Sequence, residues 1–254
     1  MIITVKHDLD TTLRSLMGEQ KQVLFGTAMA LTQTAKDIET AEYKEMRDVF
    51  DRPTPLTMNS LYVVAAKPTR LQAIVGIKDT ITKGVPASKY LQASMTGGVR
   101  ALKKHEVALR SVGLLPDGHY AVPGSGAEID AFGNMKRSQI VQILAYFKTF
   151  GAAGYTANMT EQSRKRFERK QGRAKAAGNA QFFVGRPADG KLPLGIWQRY
   201  QYARGTAIKP IILFVRGVSY EKIFDFEYVG QKTVERYWDV NWRRGLDHAY
   251  KTAR

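Results

Sequence analysis

The chain of 254 residues carries 39 Lys and Arg against 23 Asp and Glu, a formal charge of +16, with 44% hydrophobic residues and no cysteine. That apolar content fills one large core or two small ones, and aromatic and charged fractions of 10% and 24% belong to a folded chain. Disulfides and Cys-ligated metal sites are excluded, and with neither a signal-peptide pattern nor a run approaching ~18 apolar residues the expectation is a soluble protein made inside a cell, with no membrane partner.

In chain order, Ile2, Ile3 and Val5 predict an edge strand, after which Asp8 or Asp10 caps a helix start. Over 18–50, Leu24, Ala28, Leu31, Ala35 and Ile38 fall at three- and four-residue steps and predict one long helix with a buried stripe. Lys44 with Asp48 and Arg47 with Asp51 are spaced as i,i+4 pairs on its outer face. "DRPTP" ends it, because Pro53 and Pro55 each disfavour helix in the preceding residue. SLYVVAAKP and RLQAIVGIKD read as a hairpin turning at 67–69, and short helices are expected on either side of Gly97 and Gly98. The Gly- and Pro-rich stretch 113–135 reads as a long ordered loop of the contact-making kind. A helix follows over 136–150, then an exposed helix or arm from about Thr160, then strands AQFFVGRP, GIWQRYQYA and KPIILFVRG. A terminal helix closes the chain, with Val234, Trp238, Trp242, Leu246 and Ala249 on one face and pairs Asp239–Arg243 and Asp247–Lys251 elsewhere.

This order predicts an α+β fold: an antiparallel sheet packed by a long N-terminal helix and a C-terminal helix. The expected organisation is a single domain over 1–254, in which a helical, basic insertion at 80–178 interrupts two sheet halves that pair with each other.

Charge is segregated. Residues 1–133 hold 16 basic and 14 acidic side chains, residues 134–254 hold 23 and 9, and such asymmetry points to a polyanionic neighbour. Its focus is RKRFERKQGRAK at 164–175, where Arg164, Lys165, Arg166, Arg169, Lys170, Arg173 and Lys175 stand against Glu168 alone. These seven are the candidate contacts to DNA or an acidic protein wall. With Phe167 the one aromatic in the run, no stacking ladder for single strands exists, and non-specific contact is the expectation. Trp238 and Trp242, one helical turn apart, are expected as core or protein-interface residues, as are Pro53 and Pro55.

Catalytic patterns are weak. His7, His105, His119 and His248 lack metal-ligand spacing, PGSGAE lacks the GK[ST] of a phosphate loop, and GVSYE has Glu221 where a nucleophile elbow needs glycine. Asp225 and Glu227 fit a helix N-terminus better than a cation site. Glu42 and Lys44 match half of an acid-x-lysine nuclease site, without the partner acid. No catalytic residue, metal or cofactor is expected.

The segments EMRDVFDRPTPLTMNSLYV with IKD, PASKYLQASMTGGVRALKKHE, GLLPDGHYAVPG and GNMKRSQIVQIL, then FFVG, LPLGIWQR, IKPIILFV and FDFEYVGQKTVERYW, cover most of the chain. Together they resemble a family of virion morphogenesis proteins of tailed bacteriophages and prophages, similar to the minor tail protein Z and tail-completion group. The resemblance implies a non-enzymatic structural component at the neck, collar or tail-completion ring, where head connector meets tail. It further implies synthesis in the host cytoplasm, residence in the virion, a homo-oligomeric ring, and connector and tail subunits as neighbours, with packaged duplex DNA a further contact. A non-specific DNA-binding protein is the alternative, and a nuclease ranks behind both.

Overall fold

Two hydrophobic clusters, each closed by its own elements, divide the chain. The computed structural model describes residues 2–6, 20–81, 84–147, 162, 169, 182–202, 205–217 and 219–252. Its helices are α1 (Gln20–Val49), α2 (Pro55–Met58), α3 (Ala87–Thr96), α4 (Lys104–Ser111), α5 (Arg137–Tyr146) and α6 (Phe226–Lys251). Its strands are β1 (Ile2–Lys6), β2 (Leu61–Val64), β3 (Gln72–Ile77), β4 (Gly98–Val99), β5 (His119–Pro123), β6 (Phe182–Gly185), β7 (Gly195–Tyr202), β8 (Gly205–Arg216) and β9 (Ser219–Tyr220). One unit comprises Met1–Gly98 with Tyr220–Arg254, the other Val99–Ser219, and the dipeptide strands β4 and β9 lie where the chain passes between them.

The first unit is an antiparallel sheet of order β1-β3-β2 with the two long helices. Leu31, Ala35, Ile38 and Met46 of α1 bury against Leu61, Ala73, Val75 and Ile77 of the sheet, and Leu91, Met95, Phe224 and Phe226 complete the cluster. Full burial of each large side chain stabilises by about 1.5–3 kcal/mol. Inside α1 the hydroxyls of Thr27, Thr32 and Thr40 donate to carbonyls four residues back, so these hydroxyls find acceptors within their own helix. α1 ends where Arg52 takes a left-handed φ of 47° and clasps Asp51 at 2.9 Å, the acid expected to pair with Arg47. Thr54 then caps α2, accepting from Thr57 N, with Pro55 at the first helical turn, where no donor is required.

α6 runs antiparallel to α1 at a separation set by glycine. A Cβ on Gly26 would lie 2.9 Å from Gly245 O, and a Cβ on Gly245 would collide with Gly26 O. One stretch along the pair, Asn241 Nδ2 donates to Thr34 Oγ1 (3.1 Å) and Asp37 Oδ2 (2.6 Å). The deepest line of α6 is therefore Gly230, Thr233, Asn241, Gly245 and Ala249. The predicted face of Val234, Trp238, Trp242 and Leu246 is half-buried beside it, with Val234 and Trp238 packed on the core.

The second unit is a four-stranded antiparallel sheet of order β5-β8-β7-β6, with Phe182, Ile196, Ile212 and Phe214 buried against Ala108, Leu109, Ile143 and Leu144 of α4 and α5. Glu106 ties α4 to the open edge of β5. It accepts from Ala121 N (2.7 Å) and Lys103 N (2.6 Å) while Arg100 grips it with two bonds of 2.7 and 2.5 Å. Burial raises the Glu106 carboxyl, but the Arg100 guanidinium and the two amides outweigh it and hold the group below its usual range. Beside it, burial pushes His105 down to about 4, so it is neutral.

The fold class is α+β, as the order of elements predicts. Domain organisation is corrected. The late strands pair with β5 and with each other, not with the N-terminal hairpin, and bury their own apolar face, so each unit has its own core. The insertion accordingly spans 99–219 in place of 80–178, because Ala87, Leu91 and Met95 of α3 belong to the first core. The 113–135 stretch is also not loop throughout: His119 and Ala121 alternate inward on β5. Helical caps at Asp8 or Asp10 lie outside the described residues.

Helix propensity alone favours Gly245→Ala by about 1 kcal/mol. The backbone approach at Gly26 leaves the new methyl no rotamer of escape, so a net loss of about 1–3 kcal/mol in urea unfolding is expected. Glu106→Ala removes the carboxylate between Arg100 and the β5 edge and should destabilise by about 3–5 kcal/mol, read in the same titration.

Candidate polyanion-facing surface

The unit boundary sharpens the charge asymmetry. Residues 99–219 contain 20 basic and 7 acidic side chains, whereas the rest of the chain contains 19 and 16. Of the predicted contacts, Arg169 is helical and exposed; Arg164, Lys165, Arg166, Lys170, Arg173 and Lys175 lie outside the described residues.

Sheet register exposes a second basic element. β6 pairs with β7 only over Gly195–Gln198, and β5 pairs with β8 only over Ile212–Arg216. The chain after β5 adds bonds from Gly124 N and Gly126 N to the carbonyls of Ile211 and Pro210. Glycine is required there, since a Cβ on Gly124 would collide with Pro210 O. Beyond these partners, the pairs Arg199↔Ile208, Tyr200↔Ala207, Gln201↔Thr206 and Tyr202↔Gly205 form a two-stranded ribbon, joined by no third strand among the described residues. Four pairs at ~3.3 Å each give it a length of about 13 Å.

Cations stand on both faces at the base of the ribbon, Arg199 in its first pair and Lys209 opposite Gln198, the last β7 residue paired with β6. Arg199 lies over the Phe183 ring at 4.9 Å, while on the opposite face Lys209 lies 5.2 Å from the Tyr200 ring centre. Arg199 and Lys209 are exposed. Between Asp189 and Glu221 the chain holds Lys191, Arg199, Arg204, Lys209 and Arg216 and no acid. That acid-free interval is the sequence signal for the element, overshadowed by the denser run at 164–175.

The other predicted residues are structural in their settings. Trp238 and Trp242 stack with centroids 5.7 Å apart, Pro53 is half-buried, and Pro55 is exposed at the start of α2. Asp225 is the N-cap of α6, accepting from Tyr228 N at 3.2 Å, with Glu227 in the first turn. His105 and His119 are buried and His248 is exposed. Among the described residues no three His, Asp or Glu side chains gather as metal ligands, and no helix is long and apolar enough to cross a membrane.

Glu42 is the buried group that the acid-x-lysine reading misplaced. Two residues apart on a helix, Glu42 and Lys44 point about 200° apart. Glu42 is fully buried, whereas Lys44 lines an outer groove of about 600 Å³ with Asp48, Lys232 and Arg236. Neither Glu42 carboxyl oxygen has a hydrogen-bond partner. Burial pushes its pKa up to about 9, with the carboxylates of Glu45 and Asp225 adding to the rise. A signal existed: Glu42 continues the stripe of Ala35 and Ile38 toward Met46 at four-residue steps.

The sign of its pH effect follows. Between the ordinary value of 4.5 and about 9 the folded chain holds a proton that the unfolded chain releases, so this group lowers stability as pH rises through that window. The limiting slope is about 1.4 kcal/mol per pH unit. Glu42→Gln should abolish that slope, exceed the wild type in stability at neutral and higher pH, and converge with it near pH 4.5; thermal melts across the range read the difference.

Comparison with protein-family models, curated proteins and solved structures finds no match to this chain.

Proposed function

We propose that the protein is a non-enzymatic structural subunit of a tailed-phage particle, built into the neck, collar or tail-completion ring, with its second unit turned toward a polyanion. The observation that carries this reading is the partition of charge: 20 basic against 7 acidic side chains in one unit and near balance in the other. A unit so charged repels itself and attracts an acidic protein wall or nucleic acid. The resemblance to virion morphogenesis proteins, over most of the chain, supplies the location.

The first unit has the character of a protomer body. Its helix pair is locked by the Gly26–Gly245 approach and by Asn241, and α6 leaves Tyr228, Tyr237, Val240 and Tyr250 exposed for protein contacts. Head-to-tail repetition of such patches about a closed axis generates a ring. In this reading no cofactor or metal takes part, and connector, tail and like subunits are the neighbours.

Quantifying the 28.5 kDa chain in purified particles tests the location, and a small fixed copy number is the expected result. Complete particles lacking the chain would overturn it. Reversing Arg166, Arg169 and Arg173 to Glu should stop particle assembly while the isolated chain keeps its melting temperature. Normal particle yield from that variant would remove the basic run from the mechanism.

A further inference from the structure

We infer that a groove between α1, α6 and the β2–β3 turn is a binding site for a small amphiphilic anion, a carboxylate carried on an apolar chain. The inference goes beyond the phage reading and does not depend on it.

Shape makes the first argument. The groove lies wholly within the first unit and has a volume of about 660 Å³, inside the range of ~300–1,000 Å³ usual for small-molecule sites. Phe25, Ala28 and Met29 of α1 and Ala65, Ala66 and Pro68 of the hairpin give it an apolar lining. Gly245 lines it where the backbones of α1 and α6 meet, so no side chain of α6 fills that position. Phe25 is 43% exposed, and covering its ring with an apolar chain is favourable. A stable protein partner would need about 800 Å² of this surface, and the groove offers far less, which favours a small ligand.

Charge makes the second. Most polar groups of the lining are already spent. Thr32 Oγ1 donates to Ala28 O and accepts from Ala66 N, Gln33 Nε2 donates to Asp37, and Asn241 donates to Thr34 and Asp37. Lys36, Arg244 and His248 are left, and their side chains meet no acceptor among the described residues. No acid lines the groove, and Asp247, next to His248 in the chain, is held by Lys251 at 2.7 Å. Arg244 and His248 stand one turn apart on the same side of α6, so one carboxylate can accept from the guanidinium fork and an imidazole N–H together. A bare anion would leave Phe25 and Met29 in water, and a neutral hydrocarbon would gain nothing from the guanidinium. One molecule with a charged head and an apolar chain satisfies both parts of the lining.

The test is isothermal titration calorimetry of the full-length chain with sodium decanoate below its micelle concentration. One saturable site per chain is expected. Decanol, which lacks the charge, and acetate, which lacks the chain, should each bind at least about tenfold more weakly. Arg244→Gln with His248→Gln should weaken decanoate about tenfold. Arg243→Gln, removing an exposed charge of α6 outside the groove, should leave the affinity unchanged. Ala65→Trp, at an exposed position of the lining, should fill the groove and abolish binding while the chain melts as wild type does. A wild-type chain with no saturable decanoate site overturns the inference. Equal affinity for decanol and decanoate overturns the anion as ligand. Binding that survives both the Ala65→Trp and the double glutamine variants lies elsewhere and overturns the site. A wild-type chain that refuses decanoate, yet loses an oligomer in sedimentation velocity on Ala65→Trp, assigns the groove to a second copy and equally overturns the proposal. Copy number in particles decides the phage reading separately.

Discussion

The close approach of α1 and α6 is the constraint on which the first unit depends. Those helices come from opposite ends of the chain, and the bond from Asn241 to Thr34 spans 207 residues. Two glycines let the backbones meet where any side chain would hold them apart, and Asn241 then finds its acceptors within reach. The order of closure follows from the connectivity. Residues 99–219 are contiguous and gather their core from their own segment, whereas the first unit cannot finish its helix pair until α6 has been made. Loop closure costs only slowly more with length, so an excursion of this size is tolerable once the returning helix has a specific seat.

Three buried polar arrangements show how differently such groups are handled. Asn241 is satisfied by two side chains of the facing helix, and this fixes the register between α1 and α6. Glu106 is satisfied fourfold, by Arg100 and by two amides, one of them the buried Ala121 N–H of the edge strand β5, whose donor it occupies. Glu42 has no such partners and keeps its proton instead. The same residue type is thus ionised in one core and neutral in the other, and the difference lies in donors rather than in depth.

Helix content was legible because long amphipathic periodicity is a local property. The stripe through Ala28, Leu31, Ala35 and Ile38 needs no knowledge of the partner, and the β2–β3 hairpin is announced by its turn. Strand partnership is different. KPIILFVRG is apolar enough for either sheet, and nothing in its periodicity states that Phe214 will face Ala121 rather than the N-terminal hairpin. On α6, a reading by large apolar residues selects Trp238 and Trp242, whereas the closest packing is made by Gly230 and Gly245, which periodicity scores as gaps. β5 was hidden by the glycines and prolines on either side of it, although those residues end a strand as readily as they form a loop. At the candidate surface, the basic run was plain in the sequence but lies mostly outside the described residues, and the ribbon emerged only once the register showed where its neighbours stop.

The positive field of the second unit is also a consequence of where its few acids go. Glu106 is consumed by Arg100 inside the core, Asp117 stands 3.5 Å from Arg110, and Glu128 stands 3.6 Å from Lys136. Asp130 turns its carboxylate inward along its own loop, accepting from Phe132 N and Asn134 N. Each of these acids therefore answers a local demand, and residues 190–220 contain no acid. A surface left in that condition is self-repulsive in isolation and is relieved when phosphates or carboxylates of another molecule approach. The negative residues of this unit thus fall outside β7 and β8.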